Sequence, residues 1–344
     1  MARLLIALVV ALSGIACTTS TTPTSDDPVG SDPEPTPTPT AEAPVAAPTR
    51  LLYVDGRELH GFDFDSGAAE LIAELPSADA ALSPDGLHLA VVEETDPGGP
   101  GPEGFSMPAV TLRQIGGPDE ARTLGPGRSP AWSADGTRIA AIAPTEQGES
   151  IVIYSPAGQE IPTAAARDEL WSLVGWQNDD VVAIGSVSGV VLVPGDGARP
   201  RAYRVSPASF WGAAPVGSAF LALEQGAGVI VTKNGDQDIA TGGALGDGTW
   251  SWDGKRIAVV VIDEDVNTRL TLIDATTGDA AAAAESRGAQ GNVVWSQDSQ
   301  RFAFVRVEPE RPSRLEAIVC QGPTRCEPAF SWDEGVSLLG FSTG

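Results

Sequence analysis

The sequence repeats itself every 43 residues or so from Arg50 to its end. Four segments share a pattern of a bulky residue, Ser, a variable residue, Asp, Gly or Ser, and then an apolar run: LSPDGLHLAVV from Leu82, WSADGTRIAAI from Trp132, WSWDGKRIAVV from Trp250 and WSQDSQRFAFV from Trp295. Weaker copies begin at Trp176 and Trp211, and a truncated one begins at Phe341. Successive copies start 50, 44, 35, 39, 45 and 46 residues apart. This period predicts one small structural unit used many times, with neighbouring units covering each other's apolar faces.

Each repeat is predicted to consist of β-strands joined by tight turns. Gly accepts positive φ and Asp hydrogen-bonds its own backbone, so a shared turn is expected at Asp85, Gly86, Asp135, Gly136, Asp253, Gly254 and Asp298. The runs that follow are apolar at consecutive positions, which is typical of strands covered on both faces. A four-stranded unit of this length matches a propeller blade. The sequence therefore predicts an all-β fold, a seven-bladed β-propeller over residues 50–344.

The two ends of the repeat region complement each other. The first repeat lacks the turn motif and begins with the strand Leu51–Val54, whereas the last copy stops after Phe341. A C-terminal strand from about Val336 to Phe341 would close the first blade and remove the exposed sheet edges of an open ring. Six blades would result if the Trp211 copy merged with a neighbour. Another register takes Ser331–Gly335 as the last motif and also leaves seven blades.

The turn motif resembles the SPDG signature of TolB-type propellers, the WD40-like family known as PD40. Ser83, Pro84, Asp85 and Gly86 match it residue for residue, and the other copies replace Pro with Ala134, Trp252 or Gln297. The resemblance implies the propeller fold and a structural role for the turn residues, but it implies no ligand, because propellers carry many functions. TolB itself has a second, N-terminal domain, whereas here a predicted stalk (residues 17–49, described below) occupies that place, so no role in outer-membrane integrity is carried over.

The first sixteen residues have the layout of a secretory signal peptide. A short positive start precedes the apolar run from Leu4 to Leu12, which is shorter than the roughly 20 residues that span a bilayer. Ala16 and Cys17 resemble the lipobox of bacterial lipoproteins, although Gly14 stands where that family prefers Leu. The resemblance implies that residues 1–16 are removed and that Cys17 is lipidated. The alternative is an ordinary secretory signal that is cut elsewhere.

Residues 17–49 are predicted to form the lipidated Cys and a disordered stalk. Thr18 to Thr49 is rich in Thr, Pro and acidic residues and contains no Lys, Arg or aromatic residue, so it cannot bury enough apolar area to fold. We expect a lipid-anchored protein on the periplasmic or cell-surface side of a bacterial membrane. The formal charge of −25 makes nucleic acid an unsuitable partner, because affinity for it comes from cations that neutralise phosphates.

The residues that could carry chemistry are few. His60 and His88 fall in strands of the repeat, and His88 takes the position of Arg138, Arg256 and Arg301 in the other copies. No nucleotide-binding or hydrolase motif is present, and the two His offer little for zinc. The segment Asp263–Asn267 is acidic like a calcium loop, but it lacks the Gly and Glu of an EF-hand and is interpreted as a solvated turn. We predict no catalytic residue, cofactor or metal ligand, although a cation held by the inner strands remains an alternative.

Two further features lie in loops. Cys320 and Cys326 flank a Gly-Pro turn, and they are predicted to form a disulfide because an exported protein lies in an oxidising space; free thiols are the alternative. The segment Glu93–Pro108 is a Gly- and Pro-rich insertion. Phe105 and Met107 are its candidate contact residues if it is a binding loop, and a disordered excursion is the alternative.

These features favour a monomeric, non-enzymatic scaffold of the bacterial envelope that binds a protein or a glycan through its propeller. One alternative is a propeller hydrolase or lactonase with a divalent cation in its central channel. Another is the sensory head of an envelope signalling system. The residues around the axis discriminate between the first two: converging Asp, Glu, Asn or His would favour the enzyme, whereas a small or apolar lining would oppose it.

Overall fold

The computed structural model describes residues 48–94, 108–117, 120–145, 148–161, 163, 170–185, 189–196, 198–202, 210–224, 227–232, 235–239, 243–284, 286–333 and 336–343. All regular structure in these residues is β-strand. Within them, no helix is long and apolar enough to cross a membrane. The strands form seven sheets of four strands each.

Blade 1 combines the end of the chain with its first strands, and the other six blades each use four consecutive strands. Blade 1 contains β28 (Val336–Ser342), β1 (Arg50–Asp55), β2 (Glu58–Asp63) and β3 (Ala69–Glu74). Blade 2 contains β4 (Ala80–Leu82), β5 (His88–Glu94), β6 (Pro108–Gln114) and β7 (Arg122–Pro126). Blade 3 contains β8 (Arg128–Trp132), β9 (Ile139–Thr145), β10 (Gly148–Tyr154) and β11 (Glu160–Ile161). Blade 4 contains β12 (Leu170–Gln177), β13 (Asp180–Gly185), β14 (Gly189–Pro194) and β15 (Arg201–Ala202).

The remaining three blades follow the same plan. Blade 5 contains β16 (Phe210–Ala213), β17 (Phe220–Glu224), β18 (Ala227–Thr232) and β19 (Gly235–Asp238). Blade 6 contains β20 (Ala244–Trp250), β21 (Arg256–Ile262), β22 (Thr268–Asp274) and β23 (Ala280–Ala282). Blade 7 contains β24 (Ala289–Trp295), β25 (Arg301–Glu308), β26 (Arg311–Gln321) and β27 (Arg325–Trp332). The expected seven-bladed propeller is confirmed, and the six-blade alternative is wrong because β16–β19 form a sheet of their own.

The ring is closed by the C-terminal strand. β28 pairs antiparallel with β1 over its length, from Arg50 opposite Ser342 to Asp55 opposite Val336, with one bulge between Leu52 and Tyr53. Trp332 ends β27, the outermost strand of blade 7, so the alternative register that used Ser331–Gly335 as the last motif is wrong. The N- and C-terminal fragments of the first repeat therefore build one blade.

The hydrophobic core lies between blades instead of at one centre. The buried residues fall into seven clusters, one for each pair of neighbouring blades. The apolar runs of the second and third strands supply most of these residues, because both faces of a blade contact a neighbour. Among the residues whose burial is described, the cluster between blades 4 and 5 has four buried members, Val182, Val190, Phe220 and Ala222.

The propeller has two distinct faces. The first strand of each blade contacts the first strands of its neighbours, so these seven strands surround the axis. We call the side that carries the turns between first and second strands the turn face, and the opposite side the loop face. The described chain begins on the turn face, where the Thr49 amide donates to the Ser342 carbonyl at 2.9 Å and Arg301 donates to the Pro48 carbonyl at 3.0 Å. Pro48 and Thr49, which the sequence assigns to the stalk, thus lie against the propeller.

Candidate functional site

The shared turn motif is a closed hydrogen-bond network at the turn face. Ser83 Oγ donates to Asp85 Oδ1 at 2.5 Å and accepts from the amide of His88 at 2.8 Å, while Asp85 Oδ1 also accepts from the amide of Leu87 at 2.9 Å. Ser133, Ser251 and Ser296 make the equivalent bonds with Asp135, Asp253 and Asp298. These carboxylates are therefore occupied by their own turns.

The left-handed residue of the motif is Gly in three copies. Gly86, Gly136 and Gly254 have φ of 71°, 70° and 67°, and Ser299 takes this position in blade 7 with φ of 58°. The carbonyl and hydroxyl of Ser299 accept hydrogen bonds from Arg256 and from the amide of Asp253. Contacts with blade 6 thus hold Ser299 in a conformation that usually requires Gly.

The last or next-to-last residue of each first strand, which we call the marker residue, packs toward the preceding blade. The marker residues are Leu82, Trp132, Trp176, Ala213, Trp250, Trp295 and Phe341. Trp132, Trp176 and Trp295 donate their Nε1–H to the carbonyls of Ala81, Ala131 and Thr249 at 3.0, 2.9 and 3.4 Å. Each of these bonds ties one blade to the residue just before the marker of the preceding blade.

Sequence reasoning missed the partners of these indoles. Arg138 lies over the ring of Trp176 at 4.9 Å, and Arg256 lies over the ring of Trp295 at 5.1 Å. In blades 3 and 6, the Arg at the start of the second strand is therefore a contact between blades and not a solvated residue. His88, which takes this position in blade 2, has its ring 6.5 Å from that of Trp132.

In blade 5 the marker residue is Ala213 and not Trp211, where the repeat pattern places it. The amide of Ala214 bonds the carbonyl of Ala219, as Ser133 bonds Arg138 in blade 3, and Ala213 pairs with Phe220 as Trp132 pairs with Ile139. A bulge between Phe210 and Gly212 offsets the strand and explains the error. Ala214 and Ala219 also replace the Ser and Arg of the motif in this blade.

A cavity of about 290 Å³ lies on the axis and opens at the turn face. First strands of six blades and turn residues such as Ala134, Pro215 and Trp252 line it. The described lining consists of five Trp, three Gly, three Val, two Ala, and single Leu, Pro and Thr residues. Within that described lining, every side chain is uncharged. The cavity can therefore take an apolar or aromatic group, and its lining offers backbone groups, one hydroxyl and indole N–H for hydrogen bonding.

The candidate titratable residues do not meet at the axis. His60 Nε2 lies 3.1 Å from Glu58 Oε2, and its ring stacks on Tyr53 with centroids 5.1 Å apart. Asp263 accepts from the amides of Asp265 and Asn267 at 3.0 and 2.8 Å and so closes its own turn. Among the residues with described placement, no three His, Cys, Asp or Glu gather as a metal site requires.

A second, larger groove of about 900 Å³ lies on the loop face between blades 6 and 7. Its walls mix charges, with Arg269 and Arg287 near Asp263 and Glu308. Arg306 also lines it, and its Nε is 2.7 Å from Oε1 of Glu316 in a pair whose side chains are only 6% and 7% exposed. No motif in the sequence marks this groove, because its residues come from different strands of two blades.

The predicted disulfide is confirmed. Cys320 and Cys326 are opposite each other in β26 and β27, with sulfurs bonded and Cα atoms 4.0 Å apart. Cys17 and the proposed contact residues Phe105 and Met107 lie outside the described residues.

No protein-family model matches the sequence, and no curated protein is similar to it. Similar solved structures include the β-propeller domain of the trilobed protease from Pyrococcus furiosus, with 11% identity, a TM-score of 0.59, and 80% of this chain and 90% of that one covered. An oligogalacturonate lyase from Vibrio parahaemolyticus has 10% identity, a TM-score of 0.52, and coverage of 76% and 89%. TolB from Acinetobacter baumannii has 15% identity, a TM-score of 0.47, and coverage of 85% and 67%. The likeness concerns the fold. The Pyrococcus domain is described as having an open velcro topology, whereas β28 and β1 close the ring here.

Proposed function

We propose that this chain is a lipid-anchored envelope protein that binds a protein or glycan partner through the turn face of its propeller and catalyses no reaction. The observation that carries the proposal is the uncharged, Trp-rich axial cavity at that face. Concave sites with apolar and aromatic walls and few polar groups are typical of recognition sites. The described part of this lining includes neither a general base nor metal ligands, which the enzyme alternative requires at this position.

The proposed anchor has its own test. Replacing Cys17 with Ser should move the protein from the membrane fraction to the soluble fraction, because one acylated cysteine supplies the whole membrane affinity in this proposal. A Cys17→Ser protein that still sediments with membranes, after a salt wash that removes bound proteins, would contradict the anchor.

The turn face is tested with a photoreactive amino acid in the full-length protein in its native envelope. Val216 is 53% exposed and lies beside Pro215 at the mouth of the cavity, and Val266, 78% exposed, lies on the loop face as a matched control. We expect a specific adduct from position 216 that excess purified propeller competes away, and none from position 266. The mass of the adduct identifies a protein or a glycan. An adduct only from position 266 would contradict the proposed face.

A further inference from the structure

The groove on the loop face between blades 6 and 7, which we call the blade 6–7 groove, has three arginines in its lining: Arg269, Arg287 and Arg306. The β21–β22 hairpin of blade 6, the β25–β26 hairpin of blade 7 and the connection from β23 to β24 all contribute to it. Its volume of about 900 Å³ is within the range of ligand sites. The groove is therefore a candidate site of its own, on the face opposite to the mouth of the axial cavity.

Backbone hydrogen bonds bring the three arginines to this groove. The amide of Gly288 donates to the carbonyl of Thr268 at 2.8 Å, and the carbonyl of Gly288 accepts from the amide of Val307 at 3.0 Å. Each arginine is the chain neighbour of one of these three bonded residues. Cationic side chains from three segments thus line one groove, in a chain whose formal net charge is −25.

The arginines differ in what they contact. The side chain of Arg306 is 6% exposed, and its Nε is 2.7 Å from Oε1 of Glu316, so its charge is balanced within blade 7. Arg287 is exposed and has no ion pair among the described residues. A guanidinium can hold a carboxylate by two parallel hydrogen bonds, because its planar fork matches the two oxygens. Arg287 is therefore available to a carboxylate of a ligand.

The acidic residues of the lining indicate what else the ligand carries. Asp263 closes its own turn, as described above. The side chain of Glu308 is 19% exposed, and its carboxylate makes no hydrogen bond, since its nearest cations, Arg311 and Arg314, are 3.9 and 4.0 Å away. An ionised carboxylate only accepts hydrogen bonds, so it attracts a hydroxyl group and repels a second carboxylate. A ligand with hydroxyl groups beside its carboxylate therefore suits the groove better than one with carboxylates alone.

We infer that the blade 6–7 groove binds an acidic saccharide, with a sugar carboxylate on Arg287 and a sugar hydroxyl donating to Glu308. A cavity of about 150 Å³ already holds benzene, so the groove has room for several sugar rings. Sugar rings also have apolar C–H faces, and the groove offers apolar surface at Ala283, Val307, Pro309 and Pro312. The inference goes beyond the proposed function and does not depend on it, because the axial cavity opens on the other face.

Three probes of equal length separate the two kinds of group. A hyaluronan tetrasaccharide carries carboxylates and hydroxyls, chitotetraose carries hydroxyls without carboxylates, and tetraglutamate carries carboxylates without hydroxyls. Binding to the full-length protein is measured by isothermal titration at low ionic strength. We expect the hyaluronan tetrasaccharide to bind, and the other two probes to bind more weakly by about tenfold or more.

A matched set of arginine variants tests the site. Arg287→Gln should weaken binding of the hyaluronan tetrasaccharide by about tenfold or more. Arg287→Lys should weaken it about fivefold, because it keeps the charge but loses the planar fork. Arg199→Gln is the control, since Arg199 is also exposed without an ion pair among the described residues but lies between β14 and β15 of blade 4; it should leave binding unchanged.

No binding of the hyaluronan tetrasaccharide, or equal affinity of the wild type and Arg287→Gln, would overturn the inference. Equal binding of chitotetraose would remove the role of the carboxylate, and tighter binding of tetraglutamate would assign the groove to an acidic peptide instead. The photoreactive experiment at position 216 reports on the turn face, so either proposal can fail without the other. Val266 is not among the described lining residues of the groove and remains the control for that experiment.

Discussion

At the scale of single residues, the repeated Ser, Asp and Gly positions act together in each turn. The Asp carboxylate accepts hydrogen bonds from a hydroxyl and an amide, and the Gly adopts a φ near 70° in the turn that joins the first strand to the second. This is why the motif recurs although the residue between Ser and Asp varies: it is Pro84, Ala134, Trp252 or Gln297. The same chemistry makes the motif uninformative about a ligand, since its polar atoms are already paired.

Two Gly→Ala substitutions separate backbone strain from steric clash. Gly136→Ala places Cβ no nearer than 3.8 Å to Pro84, so it should cost only the left-handed penalty of about 1–2 kcal/mol. Gly86→Ala, with nearly the same φ, would bring Cβ against the carbonyl oxygen of Phe341 and within 2.7 Å of Ser342 Cα, so it should cost clearly more. Urea unfolding of the two variants measures the difference. Equal losses would show that the closing strand does not press on the first turn motif.

The pKa values of two carboxylates in turns indicate how the stability of the protein depends on pH. Partial burial opposes ionisation of Asp135, but hydrogen bonds from Ser133 and Thr137 outweigh it, and its pKa lies below the usual value. Backbone hydrogen bonds from Thr277 and Thr276 lower the pKa of Asp274 in the same way. A lowered folded-state pKa means that the unfolded chain binds protons more tightly, so stability is lost as the pH falls through the folded pKa values.

We therefore expect the melting temperature to fall as the pH is lowered below about 4. Asp135→Asn should make this fall less steep, because it removes one of the groups that titrate. Thermal unfolding of both proteins from neutral to acidic pH measures the slopes. A variant as acid-sensitive as the wild type would show that Asp135 does not contribute.

At the scale of elements, the blades differ in the turn between their first two strands, in the side chain that packs toward the preceding blade, and in the presence of a disulfide. Blade 4 replaces the five-residue motif with a two-residue turn at Asn178 and Asp179, with Asn178 at φ of 53°. Blade 5 lacks the motif and the large marker side chain. Blade 7 adds a covalent link between its two outer strands. The seven blades therefore share one fold although the connections within and between them differ.

The disulfide should stabilise the outer hairpin of blade 7. The two cysteines are 6 positions apart in the chain. In the chain-entropy model, closing a loop of this length contributes about 2 kcal/mol to the free energy of unfolding. We expect a reductant to lower the free energy of unfolding of the wild type by about this amount and to leave the Cys320→Ala/Cys326→Ala variant unaffected. Urea unfolding with and without dithiothreitol measures both. A reductant effect of equal size in the double variant would assign the loss to another cause.

At the scale of the whole molecule, closure by β28 holds the ring together. The strand pairs with β1 along one edge, and it buries Leu338 and Phe341, which are 4% and 6% exposed. Burying each such side chain contributes about 1.5–3 kcal/mol, against about 5–15 kcal/mol for the stability of a whole domain. Without β28, one edge of β1 would be unpaired, since β2 covers only the other edge.

Deleting residues 338–344 should therefore lower the melting temperature strongly and cause aggregation through the freed edge of β1. Deleting residues 18–46, the predicted stalk, should leave the melting temperature nearly unchanged although it removes more residues. This control retains Pro48 and Thr49, which bond to Arg301 and Ser342. Thermal unfolding and size-exclusion chromatography compare the two truncations. A stable, monomeric C-terminal truncation would contradict closure by β28.

The sequence by itself determined the period, the turn chemistry, the number of blades, the closing strand and the disulfide, because each depends on residues that are close in the chain or repeated along it. Only the tertiary structure decided which residues face the axis and which faces of the blades meet. The indole of Trp176 bonds Ala131, 45 positions earlier, and lies under Arg138 of the preceding blade. A bulge in β16 moves the marker of blade 5 from Trp211 to Ala213, which the sequence pattern does not reveal. Residues that are close in the chain determine the strands and turns. The axial cavity is formed by residues of different blades, which come together only when the ring closes.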